Sequence, residues 1–317
     1  MNSNPVPLFD AHAHLVADDQ LRYPRNPMQR AADAPRRAPG TVGHPGGHHG
    51  AVPINEIPDV SRMLPWMQKA NVVGAVAVQK RMIYRYDNSY ILDSSDAHPD
   101  VFSAVVILDG EDPATPLEVR RMIKDHGLAG LRLFGGRKPD GSMPWLDSPQ
   151  ALKCWEVIDD TGLVMNLEVL AHGGGGPSIP SILRLSERFP RARIVLDHLL
   201  EPEAPEGAED FGLDERYRQL AGKPNLYFKF TSINLDICQA SGQDAARLLR
   251  LAVDMYGADR IMWGSDIGTS SGTYQGMVDR MLAACALLTP DERKAVCHDT
   301  GLSVFVKGGL AARTATR

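Results

Sequence analysis

Eight short apolar runs, separated by turns and helical patterns, constrain this chain more than any other feature of its sequence. The runs are rich in β-branched residues and continuously apolar, which is typical of strands buried on both faces. Strands that alternate with helices form a parallel sheet, and eight of them in 317 residues predict a single-domain (β/α)8 TIM barrel. The predicted strands are 8–11, 72–78, 101–108, 127–134, 162–170, 192–198, 225–230 and 260–264.

Helical spacing of apolar residues fills the intervals between these runs. A doubly wound open sheet is the alternative fold, but no G-x-G-x-x-G motif follows the first run. We therefore expect one barrel domain over 1–306 and a short tail over 307–317. The predicted helices are 58–70, 113–126, 148–161, 179–189 and 243–256.

One segment interrupts the alternation of strands and helices. Residues 17–55, directly after the first strand, are rich in Pro, Gly, Arg and His. A loop of this length in a compact domain is usually a functional lid or a disordered excursion. In a barrel it would rise from the face where active sites lie, so we expect a long loop on the active-site side.

Composition narrows the class of partner and the compartment. The net charge of −5 disfavours nucleic acid and anionic membranes as main partners. Four scattered cysteines without a C-x-x-C motif are typical of reduced thiols. The N-terminus has no signal-peptide pattern, and no apolar run approaches the ~20 residues needed to cross a bilayer. We expect a cytoplasmic protein with a small-molecule substrate, and the chain is compatible with a homo-oligomer.

Polar side chains at the ends of the predicted strands are the candidate site residues, because barrel active sites lie at that face. His12 and His14 share a strand face and would point the same way. The other polar residues at these ends are Arg132, Glu168, His172, Asp197, His198, Lys229 and Asp266.

These residue types predict a metal-assisted hydrolytic site. Two histidines and an aspartate can hold one divalent ion and leave a position open for water. Asp266 would take the proton from that water as general base, and His198 would polarise the substrate carbonyl or stabilise the oxyanion. The structural alternatives are that His198 only makes hydrogen bonds and that Asp266 caps a helix.

The two basic residues at strand ends also have structural interpretations. Arg132 has the planar fork that suits a substrate carboxylate, but it can instead be a buried ion-pair partner. Lys229 can pair with a carboxylate of strand eight.

Motifs spread over nearly the whole chain resemble the lactonase-like branch of the amidohydrolase superfamily. They are FDAHAHL (9–15), RYP (22–24), VAVQK…YDNSYIL (76–92), AGLRLF (129–134), SERFPRARIVLDH (186–198), NLYFKFTS (225–232) and RIMWGSD (260–266). The resemblance implies a TIM barrel with His12, His14, His198 and Asp266 at catalytic positions. It also implies that Arg132 and Asn88 contact substrate.

The resemblance further bears on the cofactor. The fourth strand carries no lysine at its end, so the carbamylated lysine that bridges two metals in binuclear members is not expected. We predict one divalent metal, zinc or manganese, held by His12, His14, Asp266 and His172. Metal-independent catalysis is the alternative, because some lactonases of this branch are thought not to need a metal.

The leading functional hypothesis is hydrolysis of a lactone or similar ester-like C–O bond in a small carboxylated molecule. The alternative is a metal-dependent, non-oxidative decarboxylase of a carboxylated aromatic or related acid. Coordination of metal by His172 would favour the decarboxylase. A non-catalytic binding barrel is the third hypothesis, and the set of His12, His14, His198 and Asp266 argues against it.

Overall fold

Eight parallel strands form one sheet in which each strand pairs with the next in chain order. The computed structural model describes residues 6–26, 52–170, 174–203 and 208–306. With helices between the strands, this is the predicted (β/α)8 barrel. The strands are β1 (Leu8–His14), β2 (Val72–Val78), β3 (Phe102–Ile107), β4 (Gly130–Gly136), β5 (Val164–Leu170), β6 (Arg193–Leu196), β7 (Leu226–Thr231) and β8 (Ile261–Gly264).

Helices surround the sheet, and the five that the periodicity predicts are confirmed as α1, α4, α6, α7 and α10. Others were not predicted; α9, for example, buries neighbouring residues on several sides and so shows no simple amphipathic stripe. None of the described helices is long and apolar enough to span a membrane. The helices are α1 (Val60–Lys69), α2 (Arg81–Tyr84), α3 (Ser89–Ala97), α4 (Thr115–His126), α5 (Pro144–Asp147), α6 (Pro149–Thr161), α7 (Ile179–Arg188), α8 (Glu215–Arg218), α9 (Ser232–Ser241), α10 (Ala245–Tyr256), α11 (Tyr274–Ala284), α12 (Pro290–Lys294) and α13 (Thr300–Phe305).

Two predicted segments fall largely outside the described residues. Positions 27–51 of the long loop after β1, and the whole tail 307–317, are not among them. Their assignment as an active-site loop and a tail stays a prediction.

The apolar core has two layers, one on each side of the sheet. The larger cluster lies between the strands and the surrounding helices. The smaller one takes alternate strand residues, and Phe305 of α13 packs into it. The residues of the smaller cluster fill the interior of the barrel below the site. The strand members of the smaller cluster are Phe9, Ala11, Val76, Val78, Val105, Val164, Val195 and Met262.

The first strand changes the direction of its side chains part-way along. The ladder between β1 and β2 shifts register between Asp10 and Ala13. Such a bulge re-aims the side chains that follow it. Ala11 therefore joins the apolar interior cluster, while His12 and His14 face the site above it.

The seam between β1 and β8 closes the barrel through a buried carboxylate. Asp10 Oδ1 accepts hydrogen bonds from the backbone N–H of His12 (3.0 Å) and of Ser265 (2.8 Å). Its Oδ2 accepts one from the Tyr274 hydroxyl (3.0 Å). Beyond the carboxylate, Asp266 N donates to His12 O at 2.7 Å. The two strands are therefore joined directly below the site.

Gly264 permits this close approach of the two strands. A Cβ at position 264 would lie 2.6 Å from His12 Cβ and 3.1 Å from its backbone nitrogen. Neither contact can relax without moving β1 away from β8, so the position requires glycine.

The glycine requirement gives a stability test. We expect Gly264→Ala to lower the free energy of unfolding by about 1–3 kcal/mol, because an added methyl overpacks the seam. Gly222→Ala is the matched control, since nothing lies within 4 Å of its added Cβ. Urea unfolding measures both variants. Equal stabilities would show that the seam is not tightly packed.

Candidate active site

An open cavity, with about 330 Å³ of empty space that includes solvent at its mouth, lies at the carboxyl ends of the strands and is lined mainly by polar and charged side chains. Its walls come from β1, β4, β5 and the segments that follow β2, β6, β7 and β8. The lining residues are His14, Lys80, Arg81, Met82, Arg132, Phe134, Glu168, His198, Ile233, Asp266 and Thr269.

His12, His14 and Asp266 converge at one side of this cavity. The Nε2 atoms of the two histidines are 3.3 Å apart. His14 Nε2 lies 3.1 Å and His12 Nε2 3.7 Å from Asp266 Oδ1. All three side chains are buried. The structure therefore brings together the side chains at the ends of the first and last strands, as the sequence predicts.

Burial keeps the two imidazoles neutral, and the surrounding histidines keep the carboxylate ionised. Burial lowers the pKa of His12 to about 3 and that of His14 to about 4. Burial alone would raise the pKa of Asp266, but His12, His14 and His198 hold it well below its usual range. At neutral pH the group thus offers two imidazoles and one carboxylate.

This set of donors fits one divalent metal ion. His14 Nδ1 lies 2.9 Å from the carbonyl oxygen of Val78, which fixes the proton there and leaves Nε2 with its lone pair. Within the described part of the chain, neither carboxylate oxygen of Asp266 accepts a hydrogen bond. Buried polar atoms without partners require an explanation, and a cation between these three ligand atoms supplies one.

A strained turn after β6 carries His198. Residues 198–201 have φ angles of +54°, +57°, +58° and +44°. Left-handed backbone costs roughly 1–2 kcal/mol per residue for L-amino acids. The Asn234 side chain donates to His198 O, and the Tyr217 hydroxyl donates to Leu200 O. Strain of this kind is typical of functional sites, where the surroundings hold it in place.

His198 is held as a cation between a hydroxyl and a carboxylate. Its Nδ1 lies 2.7 Å from Thr231 Oγ1, and its Nε2 lies 3.2 Å from Glu168 Oε2 and 3.9 Å from Asp266 Oδ2. Burial alone would lower the pKa of His198, but Glu168, Asp266 and Asp197 raise it to about 9. His198 can therefore donate a proton or a hydrogen bond at the cavity wall.

A second acidic group, formed by Glu168 and Asp197, lies beside the candidate metal ligands. Arg132 and Lys229 neutralise it. Arg132 Nε donates to Asp197 (2.8 Å), and its Nη2 donates to Glu168 (2.7 Å). Lys229 Nζ lies 3.1 Å from Asp197 Oδ1 and 2.6 Å from Asn166 Oδ1. These contacts match the ion-pair interpretation of Arg132, and Lys229 pairs with a carboxylate after β6 rather than one of β8. Substrate contact by Arg132 stays a prediction.

The structure does not bring every predicted residue to the cavity. The Asn88 amide donates to the carbonyl oxygens of Tyr86 and Ile107 and accepts from Ile107 N. Asn88 thus joins β3 to the start of α3, and its role as a substrate contact stays a prediction. His172 lies outside the described residues, so its role as a metal ligand stays a prediction too.

Lys80, Arg81 and Thr269 are among the cavity residues that sequence reasoning missed. Lys80 Nζ donates to the Thr269 hydroxyl. Burial lowers the pKa of Lys80 to about 8. The sequence contained an indication of Lys80, because Gln79-Lys80 ends the apolar run of β2 just as polar residues end the other strands. No sequence pattern indicated Thr269, because it lies in a loop.

A comparison with protein families places the chain in one of them. Residues 9–305 match the family described as amidohydrolase. The chain belongs to the amidohydrolase family. The resemblance seen in its motifs is thereby confirmed over nearly the whole barrel, and the protein is an enzyme of that family.

Individual relatives of this amidohydrolase are distant. L-fucono-1,5-lactonase of Burkholderia ambifaria is 25% identical over 249 residues, which span 74% of this chain and 82% of that protein. A Pseudomonas putida structure assigned as a 2-pyrone-4,6-dicarboxylic acid hydrolase has a TM-score of 0.68 at 21% identity, covering 95% and 97% of the two chains. Dihydroxybenzoic acid decarboxylase of Polaromonas, with bound manganese, has a TM-score of 0.64 at 14% identity, covering 94% and 96%.

Metal binding by the histidine pair can be measured directly. We expect the metal-free amidohydrolase to bind Mn²⁺, and His14→Ala to weaken that binding by about 100-fold or more, since a buried ligand is lost. His126→Ala is the control, because His126 pairs with Asp96 on the outer helices. Isothermal titration gives affinity and stoichiometry. Equal affinity in both variants would place the metal elsewhere.

Proposed function

We propose that this amidohydrolase hydrolyses a lactone or similar ester-like C–O bond in a small carboxylated molecule. The observation that carries the proposal is the position of Asp266. This buried, ionised carboxylate accepts no hydrogen bond from the described residues and lies between the neutral imidazoles and His198. Such a group is suited to take a proton from water. The lactonase relative from Burkholderia ambifaria supports the same chemistry.

His12, His14 and Asp266 would hold one divalent metal, zinc or manganese, with His172 as a further candidate ligand. When bound, the ion supplies Lewis acidity that makes water a stronger acid at neutral pH. The manganese in the Polaromonas decarboxylase structure supports this choice of metal. The second acidic group is neutralised by Arg132 and Lys229, which favours one metal rather than two.

Asp266 and His198 have separate roles in the proposed reaction. Asp266 accepts a proton from the attacking water, whose oxygen adds to the carbonyl carbon. The carbonyl electron pair moves to its oxygen, where His198 donates a hydrogen bond to the developing charge. The ring C–O bond then breaks, and the leaving oxygen takes the proton from Asp266. The product is a hydroxy acid, whose new carboxyl group releases one proton to solvent at neutral pH, and Asp266 is left ionised as at the start.

The base role of Asp266 predicts the behaviour of one variant. We expect Asp266→Asn to lower kcat for lactone hydrolysis by about 10²- to 10⁴-fold, because the amide cannot accept the proton. Asp279→Asn is the matched control, since Asp279 is exposed on α11. Circular dichroism establishes that both variants are folded. Full activity in the Asp266 variant would exclude the mechanism.

The reaction product separates the proposal from the decarboxylase alternative. In H₂¹⁸O, hydrolysis places one ¹⁸O atom in the new carboxylate of the product, which mass spectrometry detects. A decarboxylase would instead release CO₂ from a carboxylated aromatic acid and leave the lactones unchanged. That result would replace the lactonase proposal with the alternative.

A further inference from the structure

The positive charges around the cavity are not equally balanced. Arg132 is bound to Glu168 and Asp197, so its charge is already neutralised. Lys80 and Arg81 also line the cavity, but neither has a carboxylate within 4.0 Å among the described residues. Two adjacent cations therefore face the cavity without a carboxylate in ion-pair contact among the described residues.

Both cations are built into the site rather than spread over the surface. Lys80 is 8% exposed, and it donates one N–H to the Thr269 hydroxyl. Its ammonium has three donors, so two are left. Burying a charge without a contacting counter-ion is costly, which argues for an anion that completes the site when it binds.

Arg81 is positioned by aromatic rings. Its guanidinium lies 4.5 Å from the ring centroid of Phe134 and 5.1 Å from that of Tyr86. Its Nη2 donates to the Tyr86 hydroxyl, while its buried Nε has no partner among the described residues. Stacking of this kind orients the planar fork, which suits a carboxylate.

We propose that Lys80 and Arg81 form the receptor for a carboxylate of the substrate, so that the preferred substrate is a lactone with an ionised carboxylate next to its ring. This inference rests on the proposed lactonase function and names its substrate class. A neutral sugar lactone would leave both cations unpaired and is the disfavoured substrate.

A pair of isosteric lactones tests the receptor by turnover. We expect the wild-type enzyme to prefer 5-oxotetrahydrofuran-2-carboxylate over 5-oxotetrahydrofuran-2-carboxamide in kcat/KM. Lys80→Met and Arg81→Met should each reduce that preference by about 10- to 100-fold, the effect of losing a hydrogen bond to a charged group. Lys80→Arg should retain most of it. The control Lys153→Met, exposed on α6, should keep the wild-type ratio.

Binding of non-reactive ligands separates failure of the receptor from failure of the lactonase function. We expect calorimetry to show that cyclopentanecarboxylate binds the wild type more tightly than cyclopentanecarboxamide, and that Lys80→Met and Arg81→Met remove the difference. If neither lactone is hydrolysed but this difference is found, the receptor stands and the lactonase function is wrong. If lactones are hydrolysed without a charge preference, or cyclopentanecarboxylate does not bind, the receptor is overturned.

Discussion

The contact between the first and last strands is the constraint on which the site depends. Asp10 ties the backbone of β1 to the residue that follows β8, and Gly264 lets the strands approach to a distance that no other residue permits. That approach brings His12 within reach of Asp266, two residues that are far apart in the chain. Burial raises the pKa of Asp10 to about 6, so holding this carboxylate inside the barrel has a cost. That cost is incurred where the barrel brings the candidate metal ligands together.

A second constraint is charge balance inside the barrel. Lys229 and Arg132 neutralise Asp197 and Glu168, so these acids stay ionised without a metal ion. Glu168 in turn keeps His198 protonated. The acids next to the candidate metal site therefore tune a proton donor rather than bind a second ion. At Lys80 and Arg81, which follow β2, no carboxylate of the described residues is in ion-pair contact, and that difference motivates the carboxylate receptor.

The sequence was sufficient for the barrel and for the main site residues, and physical reasons explain what it missed. Strands buried on both faces are continuous apolar runs, and the polar residues that end them must meet at one face, which predicted His12, His14, His198 and Asp266. The pairing of Arg132 was left open because its partners lie 36 and 65 residues away. The bulge at Asp10 depends on strand register, which the composition of a single strand does not reveal.

Anomalous diffraction from crystals of the protein reconstituted with Mn²⁺ tests the central claim most directly. The contact between β1 and β8 brings together the ligands for one metal ion. We therefore predict a single strong peak in the anomalous difference map, between His12, His14 and Asp266. A peak between Glu168, Asp197 and His198, or two peaks of equal height, would contradict the assignment of these acids as partners of Arg132 and Lys229.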